Sequence, residues 1–121
     1  MSGRIVVVDD SAFLKMMIKN MLLKNGFEVV GEASNGLMAI DVYKDLKPDL
    51  IIMDITMPEL NGIEATKKIK QIDPRAKIVM CSALGQSQTV LESIQAGARD
   101  YIVKPFEEEQ VIKIIRKCLK N

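Results

Sequence analysis

A chain of 121 residues, 48% hydrophobic and 27% charged, has the make-up of one soluble globular domain, long enough for a sizeable core and too short for two. Seventeen basic residues against sixteen acidic ones leave a net charge of +1, so no general field draws nucleic acid or an anionic membrane, and recognition has to be local. There is no histidine, and the two cysteines, Cys81 and Cys118, lie far apart; the usual zinc sites and Ser-His or Cys-His catalysis are excluded, and both thiols read as packing residues.

Residues 5–8 form a continuous apolar run, a strand covered on both faces, which ends in two adjacent carboxylates, Asp9 and Asp10. Phe13, Leu14, Met17, Ile18, Met21 and Leu22 then recur at helical spacing until Gly26 stops the helix. Met16, Met17 and Met21 read as core or core-edge filler rather than an adaptable binding surface. A strand over Phe27–Val30 precedes a helix from about Gly36 to Leu46, ended by Pro48. Leu50–Met53 is the third strand, and a helix from Asn61 to about Ile72 closes before Pro74. Lys77–Cys81 is the fourth strand, followed by a helix from about Gln86 to Ala96 that Gly97 terminates. Tyr101–Val103 is the fifth, and the last helix takes Glu107 to about Leu119, with Val111, Ile112, Ile115 and Leu119 inward. Its basic Lys113, Arg116, Lys117 and Lys120 read as a solvated face. Five βα units with no linker between them predict an α/β fold, an open, doubly wound, five-stranded parallel sheet with helices on both faces. No apolar run is long enough to span a membrane and residues 1–10 lack a signal-peptide pattern, so a reduced, cytoplasmic setting is expected.

In such a sheet, function gathers beyond the carboxyl ends of the strands. Strand one delivers Asp9 and Asp10, strand three Asp54, strand four Ser82, and strand five Lys104 followed by Pro105. Any one of these could be a loop residue or a cap; their convergence from distant segments points to a site. Like charges side by side raise the cost of ionising each other, so something positive has to answer Asp9 and Asp10. Carboxylates without histidine or thiolate favour a hard, oxygen-seeking divalent cation, and a sparse cluster with room for water suits Mg²⁺ better than Ca²⁺. Carboxylate, Mg²⁺ and lysine together can stabilise a phosphoryl group in transfer to an aspartate, with Asp9 and Asp10 as magnesium holders and Asp54 as acceptor.

The segments "VDD" at 8–10, "MDITMPELNG" at 53–62, "CSA" at 81–83 and "VKPF" at 103–106 resemble the receiver domain of two-component response regulators, in order and over essentially the whole chain. The resemblance implies one receiver domain over residues 1–121, a flavodoxin-like sheet of strand order 2-1-3-4-5, and phosphorylation of Asp54 by a histidine kinase. It makes Asp10, Asp54 and the Thr56 backbone carbonyl ligands of Mg²⁺, with Asp9 acting largely through water. Lys104 would contact a phosphoryl oxygen and Ser82 would turn inward to bond another. Tyr101 would follow from an exposed to a buried rotamer, small Ala83 would leave access to the acceptor, and the Lys104–Pro105 bond is expected to be cis. "CSALGQ" at 81–86 and "DYIVKPF" at 100–106 are similar to the stand-alone chemotaxis members of the family. That similarity implies a chemotaxis kinase as phosphodonor, the flagellar motor switch protein as target, a phosphatase as a further partner, and a monomeric signalling protein rather than a turnover enzyme. A relay receiver of the sporulation kind is the alternative.

Thr56 and Leu84 replace the Asn and Glu of the enteric pattern at two positions bordering the path of an attacking water, which leaves the phosphoryl lifetime open. An aspartate-nucleophile phosphatase would want a second Asp where Thr56 stands. A flavin protein of the same architecture would want hydroxyls and amides at its first loop, where "DDSA" repels a phosphate, and would commonly want more rings than three Phe and two Tyr.

Overall fold

The computed structural model describes residues 3–83 and 87–120. Strands and helices alternate in the order β1 (Arg4–Val8), α1 (Ala12–Lys24), β2 (Glu28–Ala33), α2 (Gly36–Leu46), β3 (Leu50–Asp54), α3 (Gly62–Ile72), β4 (Ile78–Ala83), α4 (Ser87–Ala96), β5 (Asp100–Lys104) and α5 (Glu108–Lys120). All strand pairs are parallel and the sheet order is β2-β1-β3-β4-β5, as the resemblance implied.

Local chemistry sets the helix starts. Ser11 Oγ accepts the Leu14 N–H, Asn35 Oδ1 the Met38 N–H and Asn61 Oδ1 the Glu64 N–H, each occupying a donor that the first helical turn leaves without a partner. Alternation along each strand then fills two cores. Val6, Val8, Ile51, Met53, Ile78 and Met80 face α2 and α3; Ile5, Val7, Ile52, Val79 and Ile102 face α1 and α5. β3 is buried along its whole length, so it is the rigid central rail that carries Asp54 to the carboxyl edge. Cys81 and Cys118 are both buried free thiols, as expected of packing residues.

Three expectations need correction. β2 continues past Val30 to Ala33, because a register shift opposite Ile5 and Val6 lets Gly31, Glu32 and Ala33 keep pairing with β1. Gly31 interrupts the apolar pattern for a packing reason, since a Cβ there would lie 2.7 Å from Leu46 Cδ1 on α2. On α1, Met16 and Phe13 point outward, 57% and 69% exposed, while Met17 and Met21 sit at the core edge. Lys15 takes the inward position instead: its Nζ donates to Ser34 Oγ at 2.8 Å and lies 3.4 Å from Glu32 Oε1, tying α1 to the end of β2. Lys15 thus joins Ile18 and Leu22 on the buried face of α1. On α5, Leu119 is half-buried and Cys118 takes the inner place. Gln86, the expected start of α4, lies outside the described residues.

These two faces of α1 make opposite predictions. Ile18→Ala removes a buried side chain and is expected to cost about 2–5 kcal/mol in urea unfolding. Met16→Ala, on the solvent side, is expected to stay within about 0.5 kcal/mol of the parent.

Candidate functional site

The carboxyl ends of β1, β3, β4 and β5 meet at one edge. Asp9, directly after β1, is held by its own backbone, whose N–H donates to the Ala33 carbonyl at 3.1 Å, and its Oδ1 accepts the Ser11 N–H at 2.9 Å. Asp54 is the last residue of β3, and Lys104, the last of β5, donates from Nζ to Asp54 Oδ1 at 2.8 Å. Asp10 lies exposed at the rim. One carboxylate oxygen from each of Asp9, Asp10 and Asp54 lies within 4.8 Å of the others. The Lys104–Pro105 peptide is cis, as expected.

Three carboxylates therefore face one ammonium. Burial pushes the Asp54 carboxyl above its ordinary pKa, with the charges of Asp9 and Asp10 adding to the rise and the Lys104 hydrogen bond opposing it. For Lys104, burial works against the ammonium, yet the bond from Asp54 and the charges of Asp54 and Asp9 prevail and raise its pKa, so the lysine stays protonated. Cys81, in register beside Asp54, has its thiol pushed well up by burial and by the Asp54 charge, and takes no part as a nucleophile.

Asp9 Oδ2 is buried without a hydrogen bond; Lys104 Nζ stands 3.5 Å away, within ion-pair reach only. An unsatisfied buried carboxylate oxygen, in an all-oxygen cluster that its lysine does not neutralise, fits a hard divalent cation. Among the described residues, Asp9, Asp10 and Asp54 are the carboxylates that would hold it.

The remaining expected site residues fall nearby. Ser82, next to Lys104's partner Ala83 in register, is buried and its Oγ has no hydrogen-bond partner among the described residues. Tyr101 on β5 is 37% exposed, at the outward end of the range expected for it. Thr56 is exposed on the β3–α3 loop, and Ala83 is exposed beside the site. Leu84 and the rest of the "LGQ" stretch lie outside the described residues.

Sequence reasoning overlooked Gly62. Its N–H donates to the Ile55 carbonyl at 2.8 Å, and a Cβ on it would lie 2.2 Å from the Asp54 carbonyl oxygen. The first turn of α3 thus packs directly on the backbone at the end of β3. The Asn61–Gly62 step signalled only a helix start; the close approach exists solely in the folded chain.

Residues 5–116 match the response regulator receiver domain, and the chain belongs to that family. Among its relatives, "Chemotaxis protein CheY" of Bacillus subtilis is 59% identical over 98% of this chain and 99% of its own length. The protein of the same name from Thermotoga maritima is 54% identical over 99% of this chain and 100% of its own. Among solved structures, the CheX–CheY–BeF3–Mg²⁺ complex from Borrelia burgdorferi matches with a TM-score of 0.90 and 32% identity, covering 94% of this chain and 87% of that one.

Two outcomes follow from the carboxylate cluster. Without metal, Asp10→Asn removes one like charge and is expected to stabilise the protein by on the order of 1 kcal/mol. Mg²⁺ is expected to stabilise the parent by about 2.7 kcal/mol at a hundredfold excess over its Kd, and the variant by less. Thermal melts with and without Mg²⁺ check both signs.

Proposed function

We propose that the protein is a phosphorylation-activated response regulator of chemotaxis, accepting a phosphoryl group on Asp54 from a histidine kinase and passing the signal to the flagellar motor switch. One observation carries the reading: three carboxylates from two strands and the Lys104 ammonium from a third converge on one sheet edge, with Asp54 bonded to Lys104 at 2.8 Å. Two relatives named for chemotaxis, each matched along nearly its whole length, favour this role over a sporulation-type relay. The chain acts as one receiver unit and, on this reading, as a cytoplasmic monomer that assists its own phosphorylation without being a turnover enzyme. A phosphatase is a further expected partner. No helix among the described residues is long and apolar enough to cross a membrane.

In the transfer, an Asp54 carboxylate oxygen attacks the phosphorus of a phosphohistidine or of acetyl phosphate in line with the leaving group. The P–N or P–O bond breaks, the leaving group departs with the bonding electrons, and an aspartyl phosphate remains. Mg²⁺ bound at Asp10, Asp54 and the Thr56 carbonyl, with Asp9 acting largely through water, would offset charge on the phosphoryl oxygens. Lys104 releases Asp54 and turns its ammonium to a phosphoryl oxygen, staying charged throughout.

Phosphorylation adds roughly two negative charges and strong acceptor oxygens. The Ser82 hydroxyl, buried and without a partner, gains one by moving toward a phosphoryl oxygen and vacates volume behind it. Tyr101, outward at rest, can turn into that space. Its ring lines a cleft of about 470 Å³ with Lys104, Glu107, Gln110 and Ile114, so inward rotation reshapes the surface of α4, β5 and α5 from within. That surface is where the motor switch protein is expected to bind.

Acetyl phosphate with Mg²⁺ is expected to add one phosphoryl group to the parent and none to Asp54→Asn, by intact-mass spectrometry. Undiminished labelling of that variant would overturn the assignment. Phosphorylation is expected to tighten binding of a motor-switch peptide by about 5–150-fold, the span of typical coupling free energies. Ser82→Ala is expected to keep its labelling and lose most of that gain, read by fluorescence anisotropy; Lys104→Ala is expected to reduce the same difference.

A further inference from the structure

We propose that the cleft at the opposite, amino-terminal edge of the sheet binds a compact polyanion. The cleft holds about 320 Å³ and brings together three cations from separate segments: Lys47 at the end of α2, Arg75 in the turn after α3, and Lys77 just ahead of β4. Two carboxylates, Asp49 and Asp73, also line it, so the cations outnumber the anions by one, and the Tyr43 hydrogen bond and the Arg75 charge help hold Asp73 ionised. Asp49 Oδ2 accepts the Arg4 N–H at 2.8 Å. Asp73 accepts the Tyr43 hydroxyl on Oδ2 at 2.7 Å and the Arg75 N–H on Oδ1 at 3.0 Å. Neither Lys47 nor Arg75 forms an ion pair among the described residues, so these two remain as donors with unspent capacity.

Helix ends work against an anion here, since α2, α3 and α5 all bring their carbonyl termini to this edge. Some of those carbonyls are engaged. The Arg4 guanidinium donates to the Leu46 and Lys47 carbonyls at 3.0 and 3.1 Å, and Lys77 Nζ reaches the Leu119 carbonyl at 3.3 Å. These contacts offset part of the negative helix ends, and an anion entering the cleft meets the Lys47, Arg75 and Lys77 cations beside the Asp49 and Asp73 carboxylates. A water claims about 30 Å³ of liquid, so the space accepts a ligand of several heavy groups rather than a single halide. The planar fork of Arg75 suits paired oxygens of a phosphate or carboxylate, and the two lysines add point charges beside it. The phosphorylation edge has the reverse character, three carboxylates around one lysine, and without metal it repels the same ligand.

The test uses metal-free protein at constant ionic strength, titrated separately with pyrophosphate and with citrate, and read by amide nitrogen–proton shifts. Saturable shifts at residues 47–49 and 73–77 are expected. Pyrophosphate alone producing them narrows the ligand to phosphates, citrate alone narrows it to carboxylates, and both together support a general polyanion site. The double variant Lys47→Gln, Arg75→Gln is expected to weaken binding about tenfold or more, because it removes two charge-assisted donors. Lys113→Gln, on the exposed face of α5, is expected to leave it unchanged. Absence of saturable shifts, the same shifts from chloride, or shifts centred on Lys104 would each overturn the proposal.

Discussion

Everything at the carboxyl edge depends on one imbalance: three carboxylates held against a single ammonium. The sheet enforces it. Asp9 is locked by its backbone bond to Ala33 and by the Ser11 turn, and Asp54 ends a strand with no exposed residue. Neither can retreat from the other, and Lys104 bonds only one of them. A cluster left short of positive charge is a receptor for more of it, first as a cation and then for the oxygens a cation can hold.

The same rigidity keeps the neighbouring polar groups close together. Lys104 donates to Asp54 Oδ1 at 2.8 Å, and the buried Ser82 Oγ on the neighbouring strand has no hydrogen-bond partner among the described residues. Tyr101 stands on the neighbouring strand, paired at Met80 two residues from Ser82 in the sheet. Adjacent strands thus place Asp54, Ser82 and Tyr101 within a few register positions of one another.

Much of this was legible in the sequence because it rests on pattern. Five apolar runs and the helical periods between them gave the alternation, and the residues ending those runs, Asp9, Asp10, Asp54, Ser82 and Lys104, are the ones the sheet brings to one edge. What escaped notice depends on contacts between elements. The outward turn of Phe13 and Met16 accompanies Lys15 finding Ser34 on another segment, and the length of β2 follows from pairing with β1 across a glycine that packs on α2. Gly62 is the clearest case, since its missing side chain matters only because Asp54's carbonyl lies where a Cβ would be. Periodicity is a property of one element; these are properties of two.

Cys81 carries a practical consequence of its place in the register. Its sulfur is buried beside Asp54, its pKa raised, so in the closed protein a thiol reagent finds neither access nor thiolate. Alkylation must wait for β4 to part from its neighbours, and where closing outpaces reaction, the rate reports the equilibrium population of the open form. Cys118 lies in the same core toward the far end of α5. The chain thus contains two native clocks, one at the floor of the site and one remote from it. Their ratio, followed as cation or phosphoryl group is added, would separate tightening of the site from tightening of the whole molecule.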